Sequence, residues 1–298
     1  MYKYDLEWHK HTKEAVGMFN IMIFIQEIIM KFKSIYRFAT ICFASTILVA
    51  CNSSSTSNTL QKIEDKGKIV VALNPEFPPF EYKTIVDGKD TIVGADIELA
   101  KAIGEELGVE VEFSSMSFSN VLASVQSGKS DIAISGISAT EERAKIYDFS
   151  EAYYQSVNKM IIKKSDATRL TSIEDFVGTS IGAQKGTIQE SVGKEEFTGA
   201  TIISLDKNGD LIQQLKAGQL DGVIFEEPIA KAYVGVNSDL QIVDMDIESS
   251  ISDFYAVAMP KGSTELKEKI DKVITELVDS GKMDQFVEEA YQQSISNN

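Results

Sequence analysis

The feature that most constrains the fold is a regular alternation of strand-like and helix-like segments, which begins near residue 66 and continues towards the C-terminus. The apolar run KIVVAL, residues 68–73, is typical of a buried strand, and DIELAKAIGEEL, residues 96–107, places apolar side chains on one helical face. The segments VEVEF, FSNVLASVQSG and DIAI repeat this order, and a second series occupies residues 171–234. Strands that alternate with helices predict a largely parallel sheet covered by helices, an α/β architecture.

The length of the chain and its connections predict two lobes. A chain of 298 residues with 43% hydrophobic residues is sufficient for about two domains. The extended segment YYQSVNKMIIKK joins the two series, and SDFYAVAMP leads from the second series into two C-terminal helices. We therefore expect residues 66–157 and 251–298 to form lobe 1 and residues 158–250 to form lobe 2. The first C-terminal helix is predicted from an apolar stripe: Leu266, Ile270, Val273, Ile274 and Leu277.

The first 50 residues have a different composition. From Met30 the basic segment KFKSIYR precedes the apolar run FATICFASTILVA, which is the order found in a secretory signal peptide. This run is shorter than the ~20 residues that span a bilayer. Residues 1–29 fit no targeting pattern, so we expect translation to start at Met30. The segment LVAC resembles the lipobox of bacterial lipoproteins, which makes Cys51 the expected lipidation site and residues 51–65 a flexible tether. A signal anchor with an incidental cysteine is the alternative.

Removal of the signal peptide would exclude several kinds of chemistry. The histidines His9 and His11, the tryptophan Trp8 and the second cysteine Cys42 all precede Cys51. The mature chain would then lack Ser-His-Asp and Cys-His nucleophilic catalysis, His or Cys zinc sites and disulfides. The formal net charge of -16 argues against a surface that binds nucleic acid. We expect no metal and no cofactor.

The segment SGISATEER, residues 135–143, follows the strand DIAI and is a candidate binding site. Ligands of open α/β sheets bind beyond the carboxyl ends of the strands. Ser138 and Glu141 have the spacing of a capping box, with Ser138 as the N-cap. Arg143 would then lie in the first helical turn, where a cation opposes the helix dipole, and its planar guanidinium group suits a carboxylate. Arg143 either binds an anion or is neutralised by Glu141 or Glu142.

A second strand end, LDGVIFEEP, places Glu226 and Glu227 before Pro228, which is typical of a helix start. Acids in this position are either partners of the helix dipole, or one of them faces a cleft and binds a cation. An arginine on one lobe and a carboxylate on the other would together suit a zwitterion. Phe77 lies in the loop after the first strand and Phe118 lies just ahead of another helix. Aromatic rings in such places can line a pocket, although most phenylalanines belong to a core.

Five motifs occur together in a characteristic order: NPEFPPFEY, VGADIELAKAIGEELG, SGISATEER, GAQKGTIQESV and LDGVIFEEP. Over residues 66–291 the chain closely resembles family 3 of the bacterial extracellular solute-binding proteins, the polar amino-acid receptors of ABC importers. The resemblance implies the type II periplasmic-binding-protein fold, in which two α/β lobes are joined by two hinge strands and close on an L-amino acid.

The resemblance also implies roles for the main-chain end of the ligand. Arg143 would pair with the α-carboxylate with help from Ser138, and Ser135 and Gly136 would also contact the ligand. Glu226 would bind the α-ammonium group.

Further positions are implied around the rest of the ligand. Thr187 would lie in a loop that helps to hold the carboxylate from lobe 2, and Phe77 and Phe118 would flank the side chain. Asn74 and Gln184 would help to select it.

Two departures from the family pattern leave the side-chain specificity open. Many relatives that bind cationic or amide side chains have Asp at the positions of Asn74 and Glu226. The loss of Asp at position 74 weakens the expectation of a strict preference for Arg or Lys, while Glu76 could restore a negative charge nearby.

These features predict a monomeric, lipid-anchored receptor on the outer face of the cytoplasmic membrane of a Gram-positive cell. It would capture a polar L-amino acid and deliver it to an ABC permease and its ATPase, without acting as an enzyme. A dehydratase-like enzyme on the same fold, with Glu226 as acid or base, is one alternative. An extracellular amino-acid sensor or adhesin is the other.

Overall fold

The computed structural model describes residues 58–247 and 254–296. The predicted translation start at Met30, the signal peptide, the lipidation site Cys51 and residues 51–57 of the tether lie outside the described residues. The tether was predicted to extend to residue 65, but residues 59–66 form a helix in which Leu60 and Ile63 are buried. Among the helices of the described ranges, none has both the length and the apolar character needed to cross a membrane.

Helices and strands alternate as the sequence predicts. In the first half of the chain they are α1 (Thr59–Lys66), β1 (Lys68–Leu73), β2 (Glu76–Phe77), β3 (Glu81–Val86), β4 (Lys89–Val93), α2 (Ala95–Leu107), β5 (Glu110–Ser115), α3 (Phe118–Gln126), β6 (Ile132–Ala133), α4 (Glu141–Ala144) and β7 (Tyr147–Gln155). In the second half they are β8 (Asn158–Lys163), β9 (Ser180–Gln184), α5 (Ile188–Glu196), β10 (Thr201–Leu205), α6 (Asn208–Lys216), β11 (Gly222–Glu226), α7 (Glu227–Val236), β12 (Leu240–Ile247), β13 (Phe254–Pro260), α8 (Thr264–Asp279) and α9 (Lys282–Ser296).

Two five-stranded sheets define two lobes. The sheet of lobe 1 has the order β5-β1-β6-β13-β7, and the sheet of lobe 2 has the order β10-β9-β11-β8-β12. In lobe 1, β1 is parallel to β5 and β6. In lobe 2, β9 is parallel to β10 and β11. The α/β prediction is therefore confirmed at the centre of each sheet.

Both sheets are mixed, which the strand–helix alternation did not predict. The strand β13 runs antiparallel to β6 and β7, and β8 runs antiparallel to β11 and β12. At one of the crossings between the lobes, β8 follows β7 directly, with no helix between them to return the chain to the starting edge of the sheet. The chain leaves the first sheet after Gln155 and re-enters it at Phe254. The lobe boundaries after residues 157 and 250 stay predictions.

The C-terminal helices complete the core of lobe 1. All five residues of the predicted stripe are buried, from Leu266 at 0% exposure to Leu277 at 7%, so this prediction is confirmed. Burial of one such side chain stabilises the fold by about 1.5–3 kcal/mol relative to its exposure. Helix α8 packs on β7 and α2, and α9 packs on α2, α7 and α8.

A small three-stranded sheet, β2-β3-β4, follows β1. The strands β3 and β4 form a hairpin in which Val86 pairs with Lys89, so Asp87 and Gly88 make the turn. Both turn residues have positive φ, 50° and 75°, and Asp-Gly is the sequence that tolerates this conformation best. The strand β2 lies at the edge of this sheet and contains Phe77.

Candidate functional site

The turn after β6 is held from behind by buried polar groups. Ser135 Oγ donates to Glu81 Oε1 and accepts a hydrogen bond of 3.0 Å from the backbone N–H of Asn74. The N–H of Gly136 donates to Asp96 Oδ2 over 3.1 Å. The carboxyl ends of β1 and β6 are therefore fixed to each other, because Ser135 contacts Asn74 directly.

Glycine is required at position 136 for two reasons. Its φ of 52° lies in the left-handed region, and a Cβ atom there would lie 2.4 Å from Cε1 of Phe77. The absence of a side chain thus allows the aromatic ring to pack directly against the turn. This contact brings two predicted site residues together.

Two buried acids, Glu81 and Asp96, support this turn. Glu81 is 0% exposed and Asp96 is 1% exposed. Burial, followed by the negative charge of Asp96, raises the pKa of Glu81 well above its usual value. Burial raises the pKa of Asp96 to about 6, although hydrogen bonds from Gly136 N–H and the Tyr153 hydroxyl oppose the rise. Two adjacent buried carboxylates resist ionising together, which is why the negative charge of Asp96 adds to the rise in the pKa of Glu81.

The helix that follows the turn begins later than the sequence predicts. It starts at Glu141, and its N-cap is Thr140, whose Oγ1 accepts from the N–H of Arg143 over 3.1 Å. The prediction of Ser138 as N-cap is wrong, because Ser138 is extended and forms a β-bridge with Tyr255. The helix has only four residues, and Arg143 lies in its last turn. A cation in this position does not oppose the helix dipole.

The guanidinium group of Arg143 spans the two lobes. Nη1 donates to the carbonyl oxygen of Ser138 over 2.9 Å, and Nη2 donates to the carbonyl oxygen of Gly186 over 3.0 Å. Gly186 belongs to the loop between β9 and α5 in lobe 2. The fork of Arg143 is thus held by backbone carbonyls at the place where the lobes meet.

The loop after β9 brings three predicted residues close together. Gln184 Nε2 donates to Asn74 Oδ1 over 2.9 Å and to the carbonyl oxygen of Asp206 over 3.2 Å. Thr187 is the N-cap of α5: its hydroxyl donates to the Gln184 carbonyl oxygen over 2.7 Å and accepts from the N–H of Glu190 over 3.3 Å. The side chain of Thr187 therefore shapes the loop beside Gln184.

Of the two acids after β11, Glu226 is the buried one. It is 4% exposed, ends the strand and is the N-cap residue of α7. Its charge contributes to the raised pKa of Glu81, so the two carboxyl groups lie within electrostatic reach across the lobes. Glu227 forms an ion pair of 2.9 Å with Lys231 on the outer side of α7. This arrangement favours Glu226 as the residue that faces a cleft.

The two predicted aromatic residues occupy different surroundings. Phe77 is 6% exposed and packs against Phe80 and Tyr255 with centroid distances of 5.9 and 6.2 Å. Phe118 is half-buried at the start of α3 and packs on a separate group of apolar residues. Phe118 adjoins Ser119, against which a Cβ atom on Gly186 of lobe 2 would lie at 3.3 Å. Phe118 therefore lies beside a contact between the lobes, whereas Phe77 packs against aromatic residues of lobe 1.

Two residues of this region, Glu81 and Asp96, were not predicted as site residues. Glu81 lies in the motif NPEFPPFEY and Asp96 lies in VGADIELAKAIGEELG, but neither acid was singled out. An acid within an apolar strand or at the start of a buried helix is the sequence signal that could have identified them as site residues. Among residues 58–247 and 254–296, no group of three or more His, Cys, Asp or Glu side chains is arranged to hold a metal ion.

Two α/β lobes, joined by two chain crossings and meeting around an arginine and a buried glutamate, define a two-lobed solute-binding protein. Residues 69–293 match the family described as "Bacterial extracellular solute-binding proteins, family 3". The chain belongs to this family, and the resemblance seen in the sequence motifs is confirmed.

Solved structures and characterised relatives agree with this assignment. An amino acid ABC transporter substrate-binding protein, AbpA from Streptococcus pneumoniae, bound to L-arginine, is 56% identical, with a TM-score of 0.77 and coverage of 79% of this chain and 99% of that chain. The arginine-binding extracellular protein ArtP of Bacillus subtilis is 36% identical over 83% of this chain and 92% of its own. The ancestral amino acid-binding protein AncCDT-1, described as a precursor of cyclohexadienyl dehydratase, is 30% identical with a TM-score of 0.71, covering 78% of this chain and 99% of that chain. The predicted two-lobe, type II fold is confirmed by these structures.

Proposed function

We propose that this protein is the substrate-binding component of an amino-acid ABC importer and that its ligand is L-arginine. The observation that carries the proposal is the position of Arg143, whose guanidinium group joins the Ser138 carbonyl of lobe 1 to the Gly186 carbonyl of lobe 2. A bidentate cation where two lobes meet suits the α-carboxylate of an amino acid, which both lobes can then surround.

The opposite charge of the zwitterion is accommodated by Glu226. This carboxylate is 4% exposed at the end of β11, and an α-ammonium group would form a charge-assisted hydrogen bond with it. Asn74 and Gln184, linked by their amide groups, supply oxygen and nitrogen atoms to a polar side chain. Arginine, rather than another polar amino acid, is favoured by AbpA, whose structure is bound to L-arginine, and by ArtP, which is named as an arginine-binding protein. The strongly acidic chain, which attracts cations, favours it as well.

Capture of the ligand would proceed by closure of the lobes. A ligand that contacts Arg143 on lobe 1 and Glu226 on lobe 2 binds the closed arrangement more tightly than the open one. It therefore shifts the population towards closure by its difference in affinity for the two states.

The proposed cellular location rests on the N-terminal part of the sequence. Lipidation at Cys51 would tether a monomer to the outer face of the cytoplasmic membrane of a Gram-positive cell, where it would deliver arginine to a permease and its ATPase. We propose binding without turnover, since AncCDT-1 is itself described as amino acid-binding. Release of an altered product from incubated arginine would contradict this part of the proposal.

A thermal-shift screen of the twenty amino acids tests the ligand. L-Arginine is expected to give the largest rise in Tm, because a ligand at 100 times its Kd stabilises the folded state by about 2.7 kcal/mol. A larger rise with another amino acid would reassign the ligand. No rise with any of the twenty would overturn the proposed function.

A further inference from the structure

The backbone carbonyl of Glu76 also connects the two lobes. The carbonyl oxygen of Glu76 accepts two hydrogen bonds from lobe 2: one from Asn208 Nδ2 and one from the Tyr233 hydroxyl, each over 3.1 Å. Glu76 lies in β2, at the edge of the small sheet, so this face of its backbone has no neighbouring strand. A carbonyl oxygen has two lone pairs and can accept both donors.

Both donors are fixed within lobe 2. Asn208 is 0% exposed and is the first residue of α6. The ring of Tyr233, on α7, stacks on Phe225 with a centroid distance of 5.4 Å and an interplanar angle of 19°. Phe225 immediately precedes Glu226, so the stacked ring connects the Glu76 carbonyl to the strand that presents Glu226.

On the lobe 1 side, the Glu76 carbonyl belongs to a residue that lies beside predicted site residues. Glu76 lies between Asn74 and Phe77, and its own N–H donates to the Asn74 carbonyl oxygen over 2.8 Å. Burial and the negative charge of Glu76 raise the pKa of Tyr233, so its hydroxyl remains a donor throughout the physiological pH range.

We propose that Asn208 and Tyr233 form a closure latch on the Glu76 carbonyl, which holds lobe 2 against the loop that carries Asn74 and Phe77 and slows the release of bound ligand. These are positioning residues, since they act through the backbone rather than on the ligand. The latch rests on the proposed function only in the use of L-arginine as a probe. It makes no contact that depends on which amino acid is bound.

A matched pair of tyrosines allows a test on the full-length protein. Tyr82 and Tyr233 both line a cavity of about 360 Å³ beside the latch. The Tyr82 hydroxyl donates over 3.1 Å to the carbonyl oxygen of Ala290 in α9, a bond that does not reach α6 or α7. Tyr233→Phe and Tyr82→Phe therefore each remove one buried hydroxyl, but only the first removes a latch bond. Asn208→Ala removes the second latch bond.

The readouts are the Kd for L-arginine by calorimetry and hydrogen exchange of the protein by mass spectrometry, with and without L-arginine. A lost hydrogen bond of this kind changes an equilibrium by about two- to tenfold. We expect Tyr233→Phe and Asn208→Ala to weaken binding by that factor and to speed amide exchange in residues 74–80, while Tyr82→Phe leaves both unchanged. Equal behaviour of Tyr233→Phe and Tyr82→Phe would overturn the latch. If wild-type protein does not bind L-arginine, the ligand proposal fails, but the exchange comparison still decides the latch.

Discussion

Gln184 Nε2 donates a hydrogen bond to Asn74 Oδ1 over 2.9 Å, and this bond joins the carboxyl ends of β9 and β1 across the two lobes. Both residues are buried, at 3% and 4% exposure. Asn74 also donates from Nδ2 to the carbonyl oxygen of Met116 over 2.9 Å, which fixes the orientation of its amide. The pair of positions proposed to select the ligand side chain is therefore also a contact that closes the site.

Replacement of Gln184 tests this dual role. Gln184→Leu leaves Asn74 Oδ1 and the Asp206 carbonyl without the Gln184 donor, so we expect the affinity for L-arginine to fall about three- to thirtyfold by calorimetry. The control is Gln189→Leu. Gln189 Nε2 donates over 2.9 Å to Asn158 Oδ1 within lobe 2 and is equally buried. That variant should lower Tm without a comparable loss of affinity, and a similar loss in both variants would remove Gln184 from the site.

The adjacent acids Glu226 and Glu227 provide a second matched pair. Glu226→Gln removes the buried negative charge proposed to bind the α-ammonium group, and charge-assisted bonds of this kind contribute about 1.5–3 kcal/mol. Binding of L-arginine should therefore weaken at least about tenfold. Glu227→Gln removes only an exposed ion pair with Lys231 and should change the Kd less than about twofold. A larger effect of Glu227→Gln than of Glu226→Gln would show that Glu227, rather than Glu226, faces the cleft.

The buried acids predict a specific dependence of stability on pH. Burial raises the pKa of Asp96 from 3.8 to about 6, and that of Glu81 in the same direction, so the folded state binds more protons than the unfolded state across this range. The stability from Asp96 is fully present below about pH 4 and is lost as the pH rises through about 6. The Tyr153 hydroxyl and Glu226 are the other titratable groups that act on this pair.

Chemical denaturation at pH 5 and pH 7 measures this effect. Relative to the double variant Glu81→Gln, Asp96→Asn, the free energy of unfolding of the wild type should fall by about 1 kcal/mol or more between the two pH values. Other carboxylates affect both proteins alike and cancel in the comparison. A wild type that gains stability over the variant on going to pH 7 would show that the pKa values of the two acids are not raised in the folded state.

Local patterns predicted much of the fold. Apolar runs and helical stripes gave most of the strands and helices, including the C-terminal stripe from Leu266 to Leu277. The antiparallel strands were not predicted, because pairing of β7 with β13 depends on the return of the chain from lobe 2. The N-cap was wrong because Ser138 forms a bridge with Tyr255, more than a hundred residues away, and this contact outweighs its local capping preference.

In the candidate site as well, local patterns predicted some residues, and contacts between distant parts of the chain determine the rest. Arg143 and Glu226 stand out locally, since Arg143 lies in the short helix after an apolar strand and Glu226 ends an apolar strand just before a helix. The roles of Glu81, Asp96 and Tyr233 depend on partners far along the chain, such as the 157 residues that separate Tyr233 from Glu76. No spacing rule within one segment predicts such contacts.

The most direct test of the account is a calorimetric comparison of L-arginine with agmatine, its analogue without the carboxylate, on wild-type protein and on Arg143→Ala. If Arg143 binds the α-carboxylate, the wild type prefers L-arginine by more than about tenfold, and the variant loses both that preference and more than about tenfold in affinity for L-arginine. An Arg143→Ala protein that binds L-arginine with unchanged affinity, or that keeps the full preference over agmatine, would contradict the central claim.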